Sequence, residues 1–306
     1  MQYYLAPLEG ITTRIYRRAY HDCFPPMDKY FIPFLSPHTK RGFNSKELAE
    51  ILPENNKGMR TVPQILTNRA EDFLGTVKKL TYYGYDEINL NLGCPSKTVV
   101  SKGRGSGFLA DLEGLDRFLD EIFAGTEVKI SVKTRIGKAD PEEFARLLKI
   151  YNQYPLEELI IHPRVQTDFY KNQPNLEVFG EAVKASRAVL CYNGDICSRE
   201  DARSIEERFP QIRACMIGRG IIGNPGLLGE IKGRGPAERE VLRRFHDQIY
   251  EEYQRTGMGD KNVLFKMKEI WGYLGGSFPD CKKQLKQIRK AEKADRYEEA
   301  VAGCFD

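Results

Sequence analysis

Short apolar runs rich in β-branched and aromatic residues recur along the first two thirds of the chain: Tyr3 to Ala6, Tyr30 to Phe34, Thr61 to Ile65, Glu87 to Asn91, Lys129 to Lys133, Glu158 to His162, Ala188 to Tyr192 and Ala214 to Ile217. Runs of this kind mark parallel strands buried on both faces. Between them lie segments of helical period with recognisable starts. Asn68 and Glu71 precede Phe73, Leu74, Val77 and Leu80, and Asp140, Pro141 and Glu143 precede Phe144, Leu147 and Leu148. In each, a side-chain oxygen can cap free amides while a carboxylate answers three residues later. A third helix follows Asp111, with Leu112, Leu115, Phe118, Leu119 and Ile122 on one side. Strand and helix alternate eight times over roughly 230 residues, which predicts an α/β fold, a (β/α)8 TIM barrel. A doubly wound open sheet is the rival, and the count of eight tells against it.

After Gly233 the strand pattern stops and helical period takes over, in Ala237 to Gln254, Val263 to Tyr273, Cys281 to Lys293 and the tail to Asp306. The expected division is a barrel over 1–233 and a small helical domain over 234–306. The 306 residues are 41% hydrophobic, 11% aromatic and 29% charged, the composition of a globular chain and not a disordered one. No apolar run approaches the roughly 18 residues of a membrane span, and the start lacks the order of a signal peptide. A cytoplasmic protein with no membrane association is expected. Seven scattered cysteines without a Cys-x-x-Cys pair indicate neither a disulfide framework nor a metal site. The net charge of +4 is mild, but Lys261 to Lys293 holds nine Lys and Arg against three acids, a local excess of +6. Trp271, Tyr273 and Phe278 interleave with these charges, a mixture that suits phosphate contacts as well as a solvated helix face.

In a barrel of this type, ligand-binding residues gather at the carboxyl ends of the strands and in the loops that follow. Those ends carry Ala6 to Gly10, Gln64, Asn91 to Ser96, Lys133 to Arg135, His162 to Arg164, Asn193 to Asp195 and Gly218 to Gly220. Gly194 and Gly218, after the last two strands, leave backbone amides open to a phosphate, and Arg219 adds a planar fork of donors. Lys133 on a buried strand is costly without an anionic partner, and the N1 and O2 edge of a reduced flavin is one such partner. Gln64 offers a donor and an acceptor to a flavin pyrimidine edge, or serves as a satisfied core amide. Cys94 lies between Gly93, which permits close approach, and Pro95, which biases the backbone towards extended geometry; a thiol is thus presented at a strand end.

The segments Asn91-Leu-Gly-Cys-Pro-Ser-Lys-Thr-Val99 and Gly103-Arg-Gly-Ser-Gly-Phe-Leu109 resemble the dihydrouridine synthase family of flavin-dependent tRNA-modifying enzymes. The likeness continues through Ala6 to Glu9, Val132 to Gly137, Ile161 to Arg164 with Tyr170, Asn193 to Ile196 and Ile217 to Gly220. The resemblance implies FMN across the barrel mouth, held by Pro7, Leu8, Glu9, Gln64, Lys133 and His162, with its phosphate at Asn193, Gly194, Asp195, Gly218 and Arg219. It makes Cys94 the catalytic acid, lines the uridine pocket with Asn91, Arg164 and Tyr170 beside His162, and gives the helical tail, with Lys282, Lys283 and Lys286, to the tRNA. The wording resembles most the bacterial subgroup acting on position 16 of the D-loop. Two departures stand out: Pro163 replaces the family's usual glycine, and Val165 to Phe169 replaces a threonine-containing stretch.

The resemblance further implies that NADPH reduces FMN, that hydride passes to C6 of uracil and that a protein acid protonates C5. An ordinary thiol is mostly protonated near neutral pH and suits that role. The uridine must leave its stack, at a cost that backbone contacts offset. No obligate protein partner is expected, and the chain is expected to be a monomer. Two other readings remain: an FMN barrel reducing a small pyrimidine-like molecule, and a non-catalytic RNA-binding barrel. The basic tail tells against the first, and Cys94, Lys133 and Arg219 together tell against the second.

Overall fold

The computed structural model describes residues 1–37 and 42–305. Its strands are β1 (Gln2–Leu5), β2 (Lys29–Leu35), β3 (Thr61–Ile65), β4 (Glu87–Leu92), β5 (Lys129–Arg135), β6 (Glu158–His162), β7 (Leu190–Tyr192) and β8 (Ala214–Ile217), and they follow one another in order round a closed barrel. Neighbours pair in parallel, as Asn91 with Lys133 and Arg135 with His162 show. All residues of β4 and β6 are buried, as continuous apolar runs require when helices cover the outside. The fold is therefore the expected (β/α)8 barrel. β5 runs two residues beyond its expected end because Thr134 and Arg135 still find partners on β6. β7 starts two residues later than expected, at Leu190, the first residue in register with β6, although the Val189 carbonyl still accepts from the Leu159 amide at 2.9 Å.

Helix starts agree less uniformly with the sequence pattern. Asp111 caps Leu112–Ala124 through the amide of Gly114 at 2.9 Å, and Leu115, Phe118, Leu119 and Ile122 are buried as expected. Before Glu143–Tyr151, the Glu143 carboxylate takes the amides of Lys138, Ala139 and Asp140, while Asp140 accepts from Glu142. The box expected at Asn68 and Glu71 does not form. Helix Ala70–Tyr82 begins after Arg69 without a side-chain cap, and Asn68 Nδ2 donates to the Lys102 carbonyl at 3.2 Å instead. Arg69, not Asn68, takes the N-cap position, so the Asn68 oxygen sits one residue too early to meet the first free amides.

By contacts the chain divides into two compact units, one of Met1–Pro7, Asp28–Gly194 and Ser204–Met216, the other of Leu8–Met27, Asp195–Arg203 and Ile217–Asp306. Within the second, the long helices Arg239–Arg255, Asp260–Leu274, Lys282–Lys290 and Ala294–Phe305 carry an aromatic core. Phe245 meets Tyr16 and Phe24 edge-on at 5.3 and 5.2 Å, which ties the 8–27 segment to these helices. Tyr297 Oη accepts from Trp271 Nε1 at 2.9 Å and lies 2.7 Å from His246 Nε2, so the polar tips of this core are satisfied.

In the first unit the amino ends of the strands enclose an ionic cluster. Lys29 Nζ lies 2.8 Å from Glu87 and 3.4 Å from Glu158, all three buried, and Tyr4 Oη donates to Glu158 at 2.9 Å. Burial raises the Glu158 carboxyl above the usual carboxylate range, with Lys29 opposing. Removing one member of such a cluster strands the others without solvent. Lys29→Met is expected to destabilise the chain by about 3–5 kcal/mol in urea unfolding, and adding Glu87→Gln and Glu158→Gln to recover most of that loss; a single variant as stable as the parent would refute the account.

Candidate active site

The carboxyl end of the barrel is polar where a packed barrel interior is ordinarily branched and apolar. Alternation along β5 turns Ser131, Lys133 and Arg135 inward, while Thr134 on the other face meets Tyr151 Oη at 3.0 Å. Four side chains form a directed relay. The amides of Gly93 and Cys94 donate to Asn91 Oδ1 at 3.0 and 2.9 Å, Asn91 Nδ2 donates to Gln64 Oε1 at 2.7 Å, Gln64 Nε2 donates to Asn89 Oδ1 at 2.7 Å, and Asn89 Nδ2 donates to Ser131 Oγ at 2.9 Å. Every donor points the same way, so each bond polarises the next. Two expected binding residues, Gln64 and Asn91, are therefore also structural: the Asn91 oxygen is filled by two backbone amides, and Gln64 retains one N–H and one lone pair.

Cys94 is clamped from its other side by the glycine-rich loop. Ser106 donates to the Cys94 carbonyl twice, through its amide at 3.1 Å and its hydroxyl at 2.8 Å. Gly105, at φ +55°, has no room for a side chain: a Cβ there would lie 2.8 Å from the Cys94 carbonyl and 3.1 Å from its Cβ. Only glycine serves at that position. Cys94 keeps a half-buried side chain at the strand end, as Gly93 and Pro95 predicted.

Lys133 pairs in register with Asn91 and is electrostatically coupled to Cys94, Cys191 and Arg135. Among the described residues it has no hydrogen-bond or ion-pair partner. Burial, and next the Arg135 guanidinium, lower its pKa from 10.5 to about 8. His162 is buried, and its Nε2 lies 3.1 Å from Arg164 Nη1. A guanidinium only donates, so Nε2 is the acceptor in this contact. Arg164, expected to face substrate, is 2% exposed and also donates through Nε to the Asn172 carbonyl. Tyr170 is exposed and stacks over Arg135 at 5.3 Å and beside His162 at 5.8 Å. Pro163 ends β6, since it has no amide to continue the ladder, and its carbonyl accepts from Asn175 at 2.7 Å.

Of the residues expected at the phosphate, Asn193 and Gly194 belong to this first unit. Asn193 Nδ2 donates to the Met216 carbonyl at 2.8 Å, and Gly194 is held small by Tyr192, whose hydroxyl would lie 1.9 Å from any Cβ there. The others belong to the second unit. Arg219 opens a short helix after Gly218 and its Nη2 lies 2.6 Å from Asp195 Oδ1. Its backbone neighbour Gly220 packs so close to Ile196 that a Cβ would meet that carbonyl at 2.0 Å. Pro7 is half-buried, Glu9 is exposed, and Leu8 starts a turn in which its amide donates to Thr12 Oγ1 at 2.8 Å. In the tail, Lys282, Lys283 and Lys286 are exposed on helix Lys282–Lys290. Lys283, Lys286, Lys290, Lys293 and Arg296 line one groove, together with Glu292 and Glu299.

The sequence profile of the dihydrouridine synthase family, Dus, matches residues 4–303. The chain belongs to that family. Among its relatives, "Probable tRNA-dihydrouridine synthase" of Staphylococcus aureus (strain COL) is 29% identical over 278 residues, 87% of this chain and 83% of that protein. "Probable tRNA-dihydrouridine synthase 2" of Bacillus subtilis (strain 168) is 26% identical over 282 residues, 89% of this chain and 86% of the other. Among solved structures, a variant of NCR from Zymomonas mobilis aligns with a TM-score of 0.55 at 16% identity, over 80% of this chain and 90% of that one. Morphinone reductase in complex with tetrahydroNAD aligns at 0.54 and 14%, over the same shares. These two share the barrel fold.

Sequence reasoning did not single out Ser106, Asn89, Ser131 or Arg135, which the structure brings to this end of the barrel. Arg135 had one available signal, its place two residues after Lys133 on the same inward face. Lys133 yields a test of the electrostatics. Its folded-state pKa of about 8 lies below the unfolded 10.5, so its charge destabilises the ligand-free fold fully below pH 8, and the penalty fades as pH rises to 10.5. Because part of the side chain still meets solvent, the penalty is put at about 1–3 kcal/mol. Lys133→Met is expected to stabilise the ligand-free chain by that amount in urea unfolding at pH 7, and by clearly less at pH 9.5; no gain at pH 7 would contradict the strained ammonium.

Proposed function

We propose that this chain is a flavin-dependent tRNA-dihydrouridine synthase, reducing the C5–C6 double bond of a D-loop uridine. The observation that carries the reading is the presence, at one barrel end, of a half-buried ammonium, Lys133, with no ion-pair partner among the described residues, and of a thiol, Cys94, whose backbone is clamped on both sides. The ammonium fits an anionic ring edge such as that of reduced flavin, and the thiol fits a proton donor. FMN is assigned to Pro7, Leu8, Glu9, Gln64, Lys133 and His162, with its phosphate at Asn193, Gly194, Asp195, Gly218 and Arg219. When bound it supplies the hydride, with NADPH as the reductant.

The chain's own residues supply the rest. Lys133 would hold the anionic ring edge of the bound flavin, and its charge is available to the uracil as that ring gains negative charge. Cys94 gives its proton to C5 of the uracil as C6 gains hydride, and the thiolate left behind is reprotonated from solvent. Asn91 and Ser106 fix the Cys94 backbone, so the sulfur does not have to be ordered during the reaction. Asn91 retains one N–H for the uridine, and Tyr170 borders it, with Arg164 beneath the same loop. We assign residues 1–233 to catalysis and 234–306 to the tRNA, whose phosphates fit Lys282, Lys283, Lys286 and the basic groove beside them. The Gly93-Cys-Pro-Ser-Lys-Thr-Val99 wording supports position 16 as the target. A monomer working in the cytoplasm agrees with this reading.

A purified protein with a flavin spectrum and NADPH-dependent formation of dihydrouridine in tRNA is the direct test. Cys94→Ala is expected to bind flavin and oxidise NADPH normally but to lose about 100-fold or more in tRNA turnover; parental rates would remove Cys94 from the acid role. Reversing Lys282, Lys283 and Lys286 to Glu is expected to raise the KM for tRNA about tenfold or more, flatten its salt dependence and spare NADPH oxidation. An unchanged KM would take the tail out of tRNA binding.

A further inference from the structure

The loop after β6 holds two adjacent aromatic side chains in solvent, Phe169 at 37% exposure and Tyr170 at 48%. Phe169 is the one described non-glycine residue at positive φ, with φ +51° and ψ −94°. A β-carbon is strained there, and such strain persists only where the surroundings enforce it. Here they do. Arg135, itself 1% exposed, donates Nη2 to the Phe169 carbonyl at 2.8 Å and Nη1 to the Val165 carbonyl at 2.9 Å. Gln166 and Thr167 donate their amides to the Gly137 and Lys138 carbonyls, and Arg164 holds the far side through Asn172. Two buried arginines thus hold rigid a tip whose rings point to water. One face of Tyr170 rests on Arg135, whereas no ring of the described residues packs on Phe169.

The third donor of Arg135 decides what the tip is for. Its Nε donates to the Gly93 carbonyl at 3.0 Å, one residue before Cys94. One guanidinium therefore sets the distance between the aromatic tip and the thiol. We propose that Phe169 and Tyr170 form a stacking ledge for the unpaired nucleobase next to the target uridine, and so help select which tRNA loop is accepted. This rests on the reading of the chain as a tRNA-dihydrouridine synthase. Single-stranded RNA loops are recognised by stacking splayed bases on aromatic rings, and exposed Lys138 and Lys171 flank the ledge with charge suited to the adjoining phosphates. The Asp168 carboxylate, which accepts from the Val165 amide and from Asn172, keeps its negative charge and offsets part of theirs. Phe169 falls in the stretch, Val165 to Phe169, where this chain departs from the family's usual wording, whereas Tyr170 lies just beyond it.

The test uses the full chain with flavin and tRNA transcripts, measuring Kd by filter binding, KM by dihydrouridine formation and Tm by thermal unfolding. Phe169→Ala is expected to raise Kd and KM about tenfold, the size of one lost base–aromatic stack, with NADPH oxidation unchanged and Phe169→Trp near parental. Phe169→Gly separates binding from folding: it relieves the positive φ and raises Tm, yet weakens tRNA as much as Ala does. Transcripts abasic on one side of the target uridine should bind the parent as weakly as intact tRNA binds Phe169→Ala, with no further loss in the variant. Binding within twofold of the parent for Phe169→Ala, or equal further loss on abasic transcripts, would overturn the ledge. A parent that binds tRNA but forms no dihydrouridine would sink the proposed function while Kd still scores the ledge; a parent that does not bind tRNA would sink both.

Discussion

The carboxamide relay from Cys94 through Asn91, Gln64 and Asn89 to Ser131 is the constraint on which the barrel's carboxyl end depends. A buried amide left without a partner costs more than a made bond returns, so a relay of this kind is stable only when every member is present and oriented. It crosses three adjacent strands, β3, β4 and β5, and ends on the backbone of the residue that presents the thiol. The position of Cys94 is therefore a property of the barrel interior and not of a mobile loop. The Ser106 hydroxyl and the missing side chain of Gly105 complete the same task from the outside.

The two ends of the barrel treat charge in opposite ways. At the amino end, Lys29 is matched by Glu87 and Glu158, and the cluster is closed within the protein. At the carboxyl end, Lys133 has no anionic partner among the described residues, and Arg135 beside it spends its donors on the carbonyls of Gly93, Val165 and Phe169. An ion cluster that is complete serves stability. An ammonium that is incomplete, near a thiol, is the feature on which the proposed ligand site rests.

Much of the architecture was legible along the chain. Strands buried on both faces leave continuous apolar runs, and such runs place β3, β6 and β8 to the residue. Cys94 was legible because Gly93 and Pro95 restrict the backbone locally, and Lys133 because a charge on a buried strand demands an explanation. The Asn68 cap was misjudged, since the helix starts one residue later, after Arg69, and Asn68 Nδ2 donates to the Lys102 carbonyl 34 positions away. Arg164 read as a substrate contact, yet its donors also hold His162 and its own loop.

What the sequence determined by itself is whatever short-range chemistry decides: the alternation of strand and helix, the strand ends rich in glycine and polar residues, the restricted backbone at Cys94 and the uneven charge of the tail. Only the tertiary structure decided which polar groups satisfy one another. Gln64, Asn89 and Ser131 are far apart in the chain and become neighbours because the closed sheet sets their register, and Arg135 joins Gly93 to Phe169 for the same reason. Hydrogen bonds act over about 3 Å between groups at any separation along the chain, whereas sequence patterns report facing and burial alone, so partners across a barrel appear only when the barrel closes.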